Sequence, residues 1–109
     1  MIEFQVFWTR TAQYDLQRII EYISADSQAE ARKIFTAIRQ KVAELSHLPL
    51  RGRIVPELKY HGISSYREII RQPWRIIYKV EEDRVWVLAV IDSRRNVEDL
   101  LLDRLIENE

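Results

Sequence analysis

The sequence predicts a small α+β domain: a helical hairpin packed on a mostly antiparallel four-stranded sheet, in the order β-α-α-β-β-β with a C-terminal helix. Hydrophobic residues first recur at helical spacing over two adjacent segments and then at strand spacing over three. A chain of 109 residues fits a single domain, residues 1–109, with a core of its own.

The N-terminal segment predicts a strand followed by a helix. Within residues 2–8, Phe4, Val6 and Trp8 occupy alternate positions, which is the period of a strand. From about Thr9 to Ile23, apolar side chains recur on one helical face, and a threonine at the start can cap the helix.

A second helix is predicted to begin after Ser27. Ser27 and Glu30 have the spacing of a capping box, in which each side chain satisfies a free backbone N–H of the first turn. Pro49 cannot continue the helix. The few residues between the two helices therefore predict an antiparallel hairpin.

The second half of the chain predicts a loop, three strands and a helix. Residues 49–64 hold both glycines and two of the three prolines, which favours a loop. Strands are predicted at Tyr66–Ile70, Trp74–Val80 and Val85–Ile91, and the last, apolar on both faces, is typical of a central strand. Asn96 can cap the final helix.

Charge is unevenly placed along this formally neutral chain. Residues 51–79 hold seven basic and two acidic side chains, a net +5, whereas residues 80–109 hold four basic and nine acidic ones, a net −5. This asymmetry predicts either a charged partner or an acidic C-terminal segment lying near the basic one.

The amino-acid composition limits the kinds of functional site that the chain can contain. The absence of cysteine excludes disulfides, thiolate metal sites and a cysteine nucleophile. His47 and His61 have no second ligand at metal-binding spacing, so neither a metal nor another cofactor is expected. The N-terminus lacks the long apolar run of a signal peptide, and no stretch is long enough to span a membrane, so we expect a cytoplasmic protein.

Several segments, taken in order, resemble the ParE/RelE toxin superfamily and cover nearly the whole chain. They are the two N-terminal helices, Pro49-Leu-Arg-Gly-Arg53, Pro56-Glu-Leu, Tyr66-Arg-Glu-Ile, Trp74-Arg-Ile-Ile-Tyr78 and Val90-Ile-Asp-Ser-Arg-Arg95. The ParE-like branch is favoured. The resemblance implies a toxin of a type II toxin–antitoxin system, bound by a cognate antitoxin whose acidic, partly disordered tail orders on contact.

The resemblance leaves three functions open. A ParE-like toxin inhibits DNA gyrase by protein–protein contact, a RelE-like toxin cleaves messenger RNA on the ribosome, and a decayed toxin only binds its antitoxin. In the nuclease branch, basic residues and a C-terminal tyrosine perform the chemistry. Arg67, Arg75 and Arg95 match basic positions of that set, whereas Ile69 and Leu101 stand at a second basic position and at the tyrosine position.

This comparison favours the gyrase-directed branch, because arginine is a poor acid or base at neutral pH. We therefore assign no catalytic residue and lean towards a protein that is not an enzyme. The predicted partner-binding residues are Arg53, Arg67, Trp74, Arg75, Arg94 and Arg95. The alternatives are a solvated charged sheet face, arginines paired with acids of the last helix, and a core tryptophan. Gly52 is expected to permit a tight chain reversal.

Overall fold

A computed structural model describes residues 3–107 of the chain, so Ile2 of the predicted first strand and the ends of the predicted domain lie outside the described residues. The elements are β1 (Gln5–Trp8), α1 (Arg10–Ser24), α2 (Gln28–Ala43) with a 3-10 turn (Glu44–Ser46), β2 (Arg53–Ile54), α3 (Pro56–Lys59), β3 (Tyr66–Arg71), β4 (Trp74–Glu81), β5 (Arg84–Asp92) and α4 (Val97–Glu107).

The α+β class and the helical hairpin are confirmed, and the sheet differs in one respect. Within residues 3–107 it has five strands in the order β1-β5-β4-β3-β2, with β1 parallel to β5 and the other pairs antiparallel. The additional strand, β2, comes from the predicted loop and pairs Arg53 with Glu68 and Ile54 with Arg67. Two residues are too few to display a strand period in sequence.

The helix starts follow local side-chain chemistry. The Thr9 hydroxyl accepts the Ala12 N–H at 3.2 Å, and the Ser27 hydroxyl accepts the Glu30 N–H at 3.1 Å. The capping box forms only in that direction, because the Ser27 N–H is already bonded to the Ile23 carbonyl at 3.0 Å. Asn96 caps α4 as predicted, accepting the Asp99 N–H at 3.2 Å.

Apolar clusters cover both faces of the sheet in the described part of the chain. The hairpin packs on one face through a first core that includes Leu16, Ile38, Ile76, Tyr78 and Val87. The short helix α3 and the C-terminal helix α4 pack on the other face through a second core that includes Leu58, Ile77, Ala89, Ile91 and Leu101. The strand β5 contributes to both cores, which explains why its sequence is apolar on both faces.

Asp15 joins three elements. Its carboxylate accepts the backbone N–H of Val90 at 3.0 Å, on the stretch of β5 that extends beyond the last residue of β1. The same carboxylate receives a bidentate pair of hydrogen bonds from Arg104 of α4, at 2.8 and 2.9 Å. Asp15 therefore anchors α1 to both β5 and α4. None of the helices in residues 3–107 combines the length and hydropathy that crossing a membrane requires.

Candidate functional site: partner-binding surfaces

A buried group of charges lies where β3, β4 and α3 meet. The Glu68 side chain is 0% exposed and the Arg75 side chain 8%. The Arg75 Nε donates to Glu68 Oε1 at 2.6 Å, and its two terminal nitrogens donate to the two Glu57 oxygens at 2.6 Å each. A further bond joins Arg75 Nη2 to Glu68 Oε2 at 3.1 Å. These bonds engage four of the five N–H donors of the guanidinium.

Arg53 completes what we call the acid–base cluster: Arg53, Glu57, Glu68 and Arg75. The Arg53 Nε donates to Glu68 Oε2 at 2.7 Å, and 58% of the Arg53 side chain is exposed. Two arginines and two glutamates cancel in formal charge. The hydrogen bond from Arg75 holds the pKa of Glu57 below its usual 4.5, and the same bond raises the pKa of Arg75. Glu57 and Arg75 are therefore both ionised at neutral pH.

The structure does not place Arg75 on an exposed surface, as the sequence had predicted. Arg75 was expected to face a partner, or a phosphate in a nuclease, but its guanidinium points into the protein and is engaged by two carboxylates. A sequence signal for this existed, because Glu57 and Glu68 are the only acids of residues 51–79. Two acids within a basic segment can indicate internal pairing as readily as solvation.

Arg67 and Arg75 lie on opposite faces of the sheet. Arg67 pairs with Tyr78 of the first core, and Arg75 pairs with Ile70, three residues along β3 from Arg67. Successive side chains of a strand alternate between faces, so an odd separation places the two arginines apart. Arg67 donates instead to the carbonyls of Gly52 and Leu50, at 2.8 and 3.5 Å.

The remaining predicted residues lie at one end of the sheet. Trp74 is half-buried against the first core, so it is not a freely exposed anchor. Arg94 forms a bidentate pair with Asp92 at 2.9 and 2.6 Å, and this pair lowers the pKa of Asp92 to about 2. The neighbouring Arg95 is exposed, and its backbone N–H donates to the Asp92 carbonyl at 3.1 Å.

A groove of about 790 Å³ runs between α4 and the exposed part of β4 and β5. Apolar side chains of the sheet and of α4 line it, together with Lys79, Arg84 and Arg104. Lys79 is paired with Glu81 at 2.7 Å. The sequence did not predict this groove, because it forms only when α4 docks on the sheet.

A second hollow, of about 470 Å³, lies on the outer side of the helical hairpin. Trp8, Ile20 and Phe35 contribute its apolar lining. The Arg39 guanidinium lies 5.5 Å from the Trp8 ring centre and 5.7 Å from that of Phe35. Both hollows are open to solvent and combine apolar side chains with charged ones, three bases and Glu81 in the first, Arg39 and Glu21 in the second. Within residues 3–107 there is no cluster of three His, Cys, Asp or Glu side chains suited to a metal.

Solved structures of toxin–antitoxin systems share most of this fold. A chain of the chromosomal ParDE system from P. aeruginosa superposes with a TM-score of 0.69 at 21% identity, over 84% of this chain and 98% of that one. A chain of the RelBE2 complex from Mycobacterium tuberculosis superposes with a TM-score of 0.62 at 24% identity, over 84% of this chain and 93% of that one.

Sequence comparison defines the family. Residues 6–97 match the family described as the ParE toxin of the type II toxin–antitoxin system parDE. The chain therefore belongs to the ParE toxin family and is a toxin of the type II toxin–antitoxin kind, as the resemblance implied. A search of the curated proteins returned no match.

Proposed function

We propose that this toxin inhibits DNA gyrase through protein–protein contact and does not cut RNA. The observation that carries the proposal is the closed acid–base cluster: Arg75, one of the three arginines that the resemblance matches to the nuclease set, is buried and engaged by Glu57 and Glu68. A phosphate would have to displace two carboxylates that are already hydrogen-bonded and whose charge repels it.

The chemistry of RNA cleavage supports the same choice. Attack of a 2′-hydroxyl on a phosphate needs a group that accepts a proton and one that donates a proton, both within hydrogen-bond reach. Glu57 is near Arg75, but its pKa is lowered, so it is no proton donor at neutral pH. Ile69 and Leu101, at the two positions where the resemblance implies proton-handling side chains, are buried in the first and second cores.

The antitoxin is proposed to dock an acidic, partly disordered segment along the groove beside α4. The apolar floor offers burial to a segment that folds on contact, and the three basic side chains of the lining, Lys79, Arg84 and Arg104, outnumber its one acid, Glu81. Reversing basic charges of the lining should therefore slow association most at low ionic strength. Lys79→Glu with Arg84→Glu tests this, and Arg32→Glu with Lys33→Glu, on the exposed side of α2, is the matched control.

Purified toxin added to gyrase supercoiling and DNA-cleavage reactions tests the proposed target. We expect supercoiling to be lost and cleaved DNA to accumulate at micromolar or lower toxin concentration, and both effects to disappear when cognate antitoxin is added first. Normal supercoiling with no cleaved DNA at much higher toxin concentration would reject gyrase as the target.

Two controls separate the other functions. Mapping messenger RNA ends after induction tests the RelE-like alternative, in which transcripts would be cut while ribosomes translate them. Growth that continues normally during induction would instead indicate a non-toxic antitoxin-binding module. Growth arrest with intact transcripts is the result that the proposal requires.

A further inference from the structure

We infer that the 48–51 loop is the anchor by which this toxin holds its target protein, with Leu48 and Leu50 inserted into an apolar pocket that has an acidic rim. The inference rests on the proposed function, which is inhibition of a target protein by direct contact. It adds the surface of the toxin that makes this contact. The loop opens the Pro49–Arg53 motif, of which only Arg53 belongs to the acid–base cluster and no residue lines the groove beside α4.

The two leucines are unusually exposed for apolar side chains. Leu48 is 57% exposed and Leu50 62% exposed, and they stand on either side of Pro49. Single exposed leucines are common on protein surfaces. Here two of them lie within one short loop, and exposed apolar side chains grouped within a polar surface mark interaction sites.

The backbone of the loop is fixed by a buried tyrosine. The Tyr78 hydroxyl donates to the Pro49 carbonyl at 2.7 Å and accepts the Gly52 N–H at 2.9 Å. Tyr78 itself is 0% exposed and belongs to the first core. The loop is therefore tied at both ends to the interior of the protein.

Arg67 fixes the loop from the neighbouring strand. It donates to the carbonyls of Leu50 and Gly52, and within the loop the Arg51 N–H donates to the Leu48 carbonyl at 3.1 Å. An apolar anchor held in one conformation before binding loses little entropy on binding. Exposed leucines on a loop held this way have the character of preorganised contact residues rather than of a flexible connection.

The charge around the loop defines the chemistry of the partner. Arg67 is half-buried, and among the described side chains, residues 3–105, it has no carboxylate partner. Its hydrogen bonds to the Leu50 and Gly52 carbonyls both come from one terminal nitrogen. Arg51 is paired with Glu44, so those two charges cancel. A carboxylate on the partner would therefore complement Arg67 beside the leucine-binding pocket.

The loop can be altered without touching the groove proposed for the antitoxin. The 48–51 loop adjoins β2 at one edge of the sheet, and its contacts are with Tyr78 and Arg67 on the first-core side. The groove lies on the second-core side, between α4 and the strands β4 and β5. Loss of target binding and loss of antitoxin binding should thus be separable by substitution.

The test compares two double variants of the full chain. Leu48→Ser with Leu50→Ser removes the apolar anchor, and Tyr22→Ser with Tyr60→Ser removes two side chains that are 81% and 85% exposed elsewhere. We expect the leucine variant to need about tenfold more protein, or more, for half-inhibition of gyrase supercoiling. Its urea unfolding midpoint and antitoxin affinity should equal those of the unaltered toxin, as should all three properties of the tyrosine control.

Growth arrest after induction provides a readout that does not depend on gyrase. If the unaltered toxin arrests growth without inhibiting gyrase, the proposed target is wrong, and the anchor is then tested by whether the leucine variant has lost the arrest. Inhibition or arrest by the leucine variant at the level of the unaltered toxin overturns the inference alone. A leucine variant that stays toxic but no longer binds the antitoxin would make the loop an antitoxin contact, which also overturns the inference. An unaltered toxin that neither inhibits gyrase nor arrests growth overturns both proposals.

Discussion

Glu68 carries a charge that is fully removed from solvent, and the surrounding residues compensate it closely. Its two oxygens accept hydrogen bonds from Arg75 and Arg53, at 2.6 to 3.1 Å. A buried charge without such partners would cost several kcal/mol, so the Glu68 carboxylate depends on the arginines that donate to it. At the scale of single residues, the burial of Glu68 makes its arginine partners important for the stability of the fold.

Arg75→Met should therefore destabilise the fold far more than Arg53→Met. Removing Arg75 leaves the Glu68 carboxylate buried with only its exposed partner Arg53, and we expect a loss of about 3–5 kcal/mol in the free energy of unfolding. Arg53 is largely exposed, and its removal should cost less than about 1 kcal/mol. Urea unfolding of the two variants measures the difference. Equal losses would show that Arg75 is not a structural ion-pair partner.

Gly52 is required for space and not for backbone conformation. A Cβ added there would lie 2.5 Å from the Glu68 carbonyl oxygen and 2.7 Å from the Tyr78 hydroxyl. The chain at Gly52 passes close to β3 and β4, and this close approach requires a residue without a side chain. The glycine with a positive φ, 78°, is Gly62, where an added Cβ meets nothing within 4 Å.

These two glycines form a matched pair for measurement. We expect Gly52→Ala to lower the free energy of unfolding by about 2–3 kcal/mol, because neither the Glu68 backbone nor the buried Tyr78 ring can move aside easily. Gly62→Ala should cost only about 1 kcal/mol of backbone strain. Thermal or urea unfolding decides the order. A larger loss at Gly62 would mean that the loop before β2 yields readily, which would also weaken the case for a rigid 48–51 loop.

At the scale of elements, α4 is held to the rest of the protein both by apolar packing and by Asp15. Val97 and Leu101 are buried in the second core, and Arg104 reaches Asp15 on α1. The same carboxylate serves as the acceptor for Val90, where β1 no longer pairs with β5. One side chain thus both satisfies a strand-edge donor and fixes a helix.

Amide hydrogen exchange should distinguish the two interactions of Asp15, one with the Val90 amide and one with Arg104. Asp15→Ala removes the acceptor of the Val90 amide and the partner of Arg104, and should cost about 1–3 kcal/mol in unfolding free energy. The Val90 amide should then exchange faster. Arg104→Met should loosen α4 but leave the Val90 amide as protected as in the unaltered protein. Fast exchange at Val90 in both variants would show that the amide depends on α4 packing and not on the carboxylate.

The elements that the sequence predicted correctly are those long enough to display a period. The helices α1 and α2 and the strands β3, β4 and β5 fall close to their predicted ranges, because each has an apolar stripe that must face a core. The strand β2 has two residues and the helix α3 four, so their conformation is set by neighbours: β2 by pairing with β3, and α3 by burial of Leu58. Local sequence holds no comparable signal for them.

At the scale of the whole molecule, the sheet separates basic residues that lie close together along the sequence. Of the predicted partner-binding residues, Arg53 and Arg75 belong to the acid–base cluster, Arg67 faces the other side and Arg94 is paired with Asp92. Net charge along the chain could not reveal this, since it counts charges without their partners. Exposed apolar surface is found in the two hollows and on the 48–51 loop.

This separation also means that single substitutions should not create a ribonuclease. Ile69→Lys and Leu101→Tyr would introduce the side-chain types that the nuclease branch carries, but Ile69 lies in the first core and Leu101 in the second, on opposite faces of the sheet. We expect Ile69→Lys to cost more than about 4 kcal/mol, because it buries an unpaired ammonium group. Leu101→Tyr should cost about 1–3 kcal/mol through overpacking.

Transcript-end mapping after induction should show intact messenger RNA for both variants, with Ile70→Lys, at a half-buried position of the same strand, as the control for a lysine in β3. Cleaved transcripts from the folded Leu101→Tyr variant would mean that a phosphate reaches the second-core face after all, and that the acid–base cluster opens when RNA binds.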